Sequence, residues 1–207
     1  FKLLHSFAAV TSSSTSGLTV TVDGAAPTGP LAAGTDGYYY GTTAQGGANG
    51  RGVVFRIAFD GTGFQVLHEF SATTADTTTG LLENADGATP LGGLLDGGDG
   101  YFYGMAAQGG TDGNGVIFAL PADGSASGTA TTLGTIFSID RAGTNFARLH
   151  SFDGQHGSLP SSRLLETAPG VFVGAAANTG NCSYGTIFRY SHAGDTVTGN
   201  TSCGRKK

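Results

Sequence analysis

The sequence predicts an all-β protein built from three tandem four-stranded repeats, β-propeller-like blades in series. Three observations predict it. Glycine makes up 37 of 207 residues, more than twice the usual share of about 7%, and each Gly inside a helix costs about 1 kcal/mol. Seven Tyr and 13 Phe stand in a chain that is only 12% charged, so a core can form where a disordered chain would lack the apolar surface. The third is a set of short markers that recurs along the chain without the three-residue glycine period of collagen.

The markers fix the repeat. Leu3-Leu4-His5-Ser6-Phe7 returns as Val66-Leu67-His68-Glu69-Phe70 and as Arg148-Leu149-His150-Ser151-Phe152. Asp23-Gly24-Ala25-Ala26-Pro27 returns as Asp86-Gly87-Ala88-Thr89-Pro90, with Gly157-Ser158-Leu159-Pro160 as a weaker third copy. Tyr38-Tyr39-Tyr40-Gly41 matches Tyr101-Phe102-Tyr103-Gly104 and Val171-Phe172-Val173-Gly174. Gly52-Val53-Val54-Phe55 matches Gly115-Val116-Ile117-Phe118 and Gly185-Thr186-Ile187-Phe188. Every marker moves by 63 from copy one to copy two, and Pro90 to Pro160 and Phe118 to Phe188 both move by 70. His68 to His150 moves by 82, because copy two carries an insertion at about 119–137 and the loop from His to Pro then shrinks.

Within a repeat the strands follow in order. The first follows the Pro, Leu91 to Leu95 in copy two; the second is the aromatic run Tyr101-Phe102-Tyr103. The third is Val116-Ile117-Phe118 and the fourth ends in Leu-His-x-Phe. Asp-Gly and Gly-Gly pairs between them are hairpin punctuation. Phe64, Val66, His68 and Phe70 alternate with Gln65, Leu67 and Glu69. Both sets contain apolar residues, as expected of sheets covered on two faces. The chain divides into residues 1–7, repeat one at 8–70, repeat two at 71–152, and repeat three with a tail at 153–207.

The series Leu-His-x-Phe, Asp-Gly-x-x-Pro, Tyr40-Gly41-Thr42-Thr43-Ala44-Gln45-Gly46-Gly47, Gly52-Val53-Val54-Phe55-Arg56-Ile57 and Asp60-Gly61-Thr62-Gly63-Phe64 resembles the GloVer-type tandem repeat of secreted bacterial proteins. Copy three departs from it, with Val173-Gly174-Ala175-Ala176 in place of Tyr-Gly-Thr-Thr. The resemblance implies a secreted or surface-anchored propeller-like protein and lends no activity.

Chemistry is sparse. His5, His68 and His150 share one register beside Leu and Phe, so they and Phe70 and Phe152 are expected to be structural, as with a ring N–H bonded to a neighbouring turn carbonyl. His156 and His192 fall outside that register without a partner at a recognisable spacing. Nine of the 15 acids, Asp23, Asp36, Asp60, Asp86, Asp96, Asp99, Asp112, Asp123 and Asp153, precede Gly and read as turn residues. Asp76, Asp140, Asp195, Glu69, Glu83 and Glu166 remain for acid–base work, which in a glycosidase needs two facing carboxyls; no spacing singles out a pair. Asp96-Gly97-Gly98-Asp99-Gly100 and Asp112-Gly113-Asn114-Gly115 crowd oxygens of the kind extracellular Ca²⁺ sites use, but without the spacing or terminal Glu of an EF-hand they read first as paired turns. Gly46-Gly47 and Gly109-Gly110 precede neither Lys nor a helix start and make no phosphate loop. The expectation is therefore no enzyme, no cofactor and no metal.

Ten Lys+Arg against 15 Asp+Glu leave a net charge of −5, with no basic footprint for nucleic acid. No apolar run approaches the ~18 residues of a membrane span. Position 1 falls within a repeat strand, so the sequence reads as a processed or partial chain. Cys182 and Cys203, both additions to the repeat plan, are expected to form one disulfide in an extracellular or cell-surface setting, worth about 3 kcal/mol. The polar runs Thr11 to Ser16 and Thr73 to Thr79 are expected to be solvated loops or O-glycan carriers, and Asn181-Cys182-Ser183 and Asn200-Thr201-Ser202 match the N-glycan acceptor pattern.

Copy three ends after Phe188-Arg189-Tyr190 without a Leu-His-x-Phe strand, whereas that strand opens the chain as Phe1, Leu3, Leu4, His5 and Phe7. The expectation is that this segment completes the last blade in cis or in trans. An unpaired edge is a template for another chain, which points to a non-enzymatic structural or assembly protein, self-associating head to tail. The alternative is a glycan-binding module presenting Tyr38, Tyr40, Tyr101 and Tyr103; a hydrolase ranks third.

Overall fold

The computed structural model describes residues 2–13, 17–78, 80–110, 116–121, 137–138, 147–148, 150, 152, 158–178, 185–194 and 196–199. Among the described residues the fold is almost wholly β, with one 3-10 turn at His192–Gly194, and the sheets are antiparallel and none closes into a barrel.

Repeat one forms a six-stranded sheet from β1 (Thr11–Ser12), β2 (Thr19–Pro27), β3 (Ala32–Ala33), β4 (Tyr38–Gly47), β5 (Val53–Ala58) and β6 (Gln65–Glu69). β4 is its spine. Its first half pairs with β3 through Ala32 and Tyr40, its second half with β2 through Thr21 and Gly47, and its other edge with β5. Repeat two contributes a small hairpin of β7 (Thr74–Ala75) and β8 (Leu82–Glu83), then β9 (Leu95–Asp96), β10 (Tyr101–Ala106) and β11 (Val116–Pro121) in one sheet. β12 (Phe137–Ser138) pairs with β13 (Ala147–Arg148). Repeat three is a five-stranded sheet of β14 (Ser158–Pro160), β15 (Leu165–Ala168), β16 (Val171–Asn178), β17 (Thr186–Ser191) and β18 (Thr196–Gly199).

Three expectations change. Repeat three does have a fourth strand: β18 pairs with β17 from Phe188↔Gly199 to Ser191↔Thr196. Backbone pairing needs no Leu-His-x-Phe, and β-branched Thr196, Val197 and Thr198 suit a pleated edge. Segment 2–8 joins no sheet and lies on repeat one, not on the last repeat. The polar runs are not plain loops, since β1 with β2 and β7 with β8 each close a hairpin there.

The first strand of each repeat is also shorter than expected. In repeat two only Leu95–Asp96 pairs with β10, because the residues after Pro90 run close to the neighbouring repeats instead. A Cβ at Gly29 would lie 2.5 Å from the Gly93 nitrogen, so only a glycine admits that approach.

The core is continuous across the repeats. Tyr40, Val54, Leu67 and Phe70 of repeat one, Leu94, Phe102, Tyr103 and Met105 of repeat two, and Leu164, Phe172, Phe188 and Tyr190 of repeat three form one buried cluster with Phe152. Burying each such side chain contributes about 1.5–3 kcal/mol. Along β4 the odd and even side chains face opposite ways. Tyr40 and Thr42 face repeat two, while Tyr39 faces the outer cluster of Val53, Phe55 and Ile57.

Candidate functional site

Several polar side chains stand at the seams between repeats. The first seam device is a clasp. Asp86 Oδ2 lies 2.9 Å from His68 Nε2, and the Ser71 N–H donates to the same carboxylate at 3.0 Å. A carboxylate only accepts, so the ring nitrogen must carry the proton. Asp86 opens an Asp-Gly turn whose Gly87 takes φ +95°, and Asn84 Oδ1 accepts the Gly87 N–H at 2.9 Å. The last strand of repeat one is thereby held to the first turn of repeat two.

The same clasp stands at the start of the chain. His5 Nε2 lies 3.0 Å from Asp23 Oδ2, the Ala8 N–H donates to Asp23 at 3.0 Å, and Thr21 Oγ1 accepts the Gly24 N–H at 2.8 Å. Phe7 meets Phe55 edge to face at 5.5 Å, as Phe152 meets Phe188 at 4.8 Å. His5 stacks on Phe64 at 3.8 Å. Residues 2–8 therefore occupy on repeat one the place that residues 65–71 occupy on repeat two. Leu4 and Phe7 pack on the outer cluster, while Leu3 is exposed; Phe1 lies outside the described residues.

The second device is a tyrosine ladder. The Tyr40 hydroxyl donates to Asp36 at 2.5 Å and the Tyr103 hydroxyl to Asp99 at 2.6 Å. Burial first, and then these carboxylates, push both phenols well above their ordinary range. Tyr40 stacks on Phe102 at 4.1 Å and Tyr103 lies tilted against Phe172 at 4.4 Å, so each ring crosses to the next repeat. The aromatic row weighed as a glycan platform is thus spent inside the seams at Tyr40 and Tyr103, with Tyr38 and Tyr101 half-buried beside them.

A third device is strain. Ala26, Thr89 and Leu159, the residues before the three repeat prolines, all hold positive φ of 52–56°. That conformation costs a non-glycine residue about 1–2 kcal/mol. Thr89 is held there by donating its N–H to the Arg51 carbonyl across the seam and by accepting the Ala107 N–H.

The remaining candidates serve local structure. Glu69 accepts the Ala48 N–H, Glu166 the Gly170 N–H, and Asp76 the Thr78 N–H; Glu83 lies in the β7–β8 hairpin. Asp96 accepts the Gly98 N–H and Asp99 the Tyr101 N–H, so that loop is a pair of turns. Among the described residues no three His, Cys, Asp or Glu side chains group as metal ligands. His150 rings contact Phe152 and Tyr190 at 6.0 Å, and His192 is exposed in the 3-10 turn. Asp112, Asp123, Asp140, Asp153, His156, Cys182, Asp195 and Cys203 lie outside the described residues. Among the described residues no helix is long and apolar enough to cross a membrane.

The sequence reading missed the partners of the histidines and tyrosines. The signal was present: His to Asp is 18 residues in both copies, and Asp to Tyr is four. In copy three Pro169 and Val173 replace the Asp–Tyr pair together.

The family model for the Gloeobacter/Verrucomicrobia repeat covers residues 3–127. The chain belongs to that repeat family. The matched stretch of the Gloeobacter/Verrucomicrobia repeat takes in both His–Asp clasps and both Tyr–Asp pairs. No curated protein matches the chain.

Proposed function

We propose that this chain is a non-enzymatic extracellular structural protein, a propeller-like assembly subunit that joins head to tail by strand addition. One observation carries the reading. Segment 2–8 sits on Asp23 as the last strand of a preceding repeat would sit, yet belongs to no sheet of its own. A neighbour's β17 is the edge it fits. Addition there exchanges β18, whose anchor in the core is Val197, for a strand carrying Leu4, His5 and Phe7. Backbone bonds would supply affinity and alternate side chains register. The use of Asp23, Asp36, Asp86 and Asp99 as seam locks supports a non-catalytic role for them. Location outside the cell belongs to the same proposal, with a Cys182–Cys203 disulfide as its marker.

Deleting residues 1–7 and measuring native mass tests it. The intact chain should associate and the truncated chain should run at the monomer mass. An unchanged assembly state after truncation overturns strand addition.

A further inference from the structure

The loop at 48–52 of repeat one holds a reactive pair that the fold keeps in check. Asn49 and Gly50 stand side by side between β4 and β5. Asn49 is half-buried, and its Nδ2 donates to the Phe70 carbonyl at 3.0 Å. The Gly50 N–H donates to the Gly47 carbonyl at 3.2 Å. Two more bonds close the loop on the same strand end. The Ala48 N–H donates to Glu69 Oε2 at 3.1 Å, and the Phe70 N–H to the Gly52 carbonyl at 3.1 Å. Phe70 is a core residue, and Ser71 beside it enters the Asp86 clasp.

Packing fixes the glycine. Gly50 holds φ +67°, and a Cβ there would lie 2.7 Å from Leu18 Cβ and 2.9 Å from the Thr19 carbonyl oxygen. A residue without a Cβ also leaves its own backbone nitrogen unscreened. The Asn49 carboxamide carbon is the electrophile next to that nitrogen, one ring closure away. In the closed loop both partners are engaged: the Gly50 nitrogen keeps its proton on Gly47, and the carboxamide is tied to Phe70. The same register carries Asp112 in repeat two and Cys182 in repeat three, so the pair is particular to repeat one.

The geometry points to Asn49 as a site of spontaneous covalent modification, which the closed loop holds off and whose product cannot remake the closure. When the loop opens, the Gly50 amide nitrogen loses its proton to solvent base and attacks Asn49 Cγ. The N–Cγ bond forms, the Cγ–Nδ2 bond breaks, and Nδ2 takes up a proton and leaves as ammonia. Water then opens the resulting succinimide at either carbonyl, giving aspartate or its isoaspartyl isomer, with no change of oxidation state. Neither product has a side-chain N–H to offer the Phe70 carbonyl, because a carboxylate only accepts. Each also adds a second carboxylate to a loop already bonded to Glu69.

The test incubates the full chain in mildly alkaline buffer, folded and in urea, and follows residue 49 by peptide mapping with mass spectrometry. Conversion should proceed in urea and run at least about tenfold slower in the folded chain. Glu69→Ala, at an exposed position, removes the Ala48 bond without touching the reacting atoms and should speed conversion in the folded chain. Asn49→Asp stands for the aspartyl product. It should melt below the intact chain and show faster hydrogen exchange at the Phe70 amide. Equal rates in the folded and unfolded chain overturn the protection, and no conversion in urea overturns the site. Melting and exchange of Asn49→Asp identical to the intact chain overturn the statement about the product.

Discussion

The seam between repeats one and two and the outer face of repeat one use equivalent positions at the same spacing and differ in how far those positions are buried. Phe102 lies fully buried against Tyr40, whereas Tyr39, its equivalent, is half-buried. His68 and Asp86 are more enclosed than His5 and Asp23, with side-chain exposures of 11% and 10% against 26% and 13%. The lesson is that a repeat's motif specifies a contact, while the neighbour decides how much that contact stabilises.

The largest effect should come from the rings. Phe102→Ala empties a fully packed site and is expected to cost about 3–5 kcal/mol, against about 1.5 kcal/mol or less for Tyr39→Ala. Urea unfolding of the two variants measures the difference, and equal losses would erase the distinction between seam and end. The clasps come next. Asp86→Ala strands the His68 ring N–H and the Ser71 N–H in a half-buried site, at about 2–3 kcal/mol. Asp23→Ala should change global stability by less than about 1 kcal/mol while freeing segment 2–8, seen as faster hydrogen exchange at the Ala8 amide. Protection of Ala8 in that variant would mean that the packing of Leu4, His5 and Phe7 holds the segment without the carboxylate.

The ladder gives the smallest effect and one with a pH signature. Tyr40→Phe removes a single bond to Asp36 and is expected to cost about 1 kcal/mol at neutral pH. The raised phenols of Tyr40 and Tyr103 hold their protons in the fold after unfolded tyrosine has lost its own near pH 10. Their contribution is therefore complete below about pH 10 and is lost as pH climbs above it. The double variant Tyr40→Phe, Tyr103→Phe should flatten that alkaline decline in melting experiments. Repeat three, with Pro169 and Val173 at these positions, has no such Tyr–Asp pair.

Much of the candidate site was legible once spacing was treated as a contact. The register of His5, His68 and His150 pointed to structure because a group repeated in every copy serves every copy. The partner was missed, although the constant 18 residues to Asp23 and Asp86 carried the signal. The positive φ before each proline was not legible. Ala26, Thr89 and Leu159 share no side-chain type, and the conformation is imposed by bonds such as Thr89 N–H to the Arg51 carbonyl. β18 was hidden for a similar reason: its pairing is made by backbone, and Thr196–Gly199 carries no repeat motif.

The sequence by itself determined the all-β class, the three copies, their unequal spacing and the Asp-Gly turns, since glycine density and short markers act locally. Only the tertiary structure decided which face of each copy is covered. Val54 and Ile187 are chemically near-identical and occupy one register, and they differ because repeat two follows the first and no described residue covers the other. Burial is a property of what lies across the gap, and a strand's own residues do not encode it.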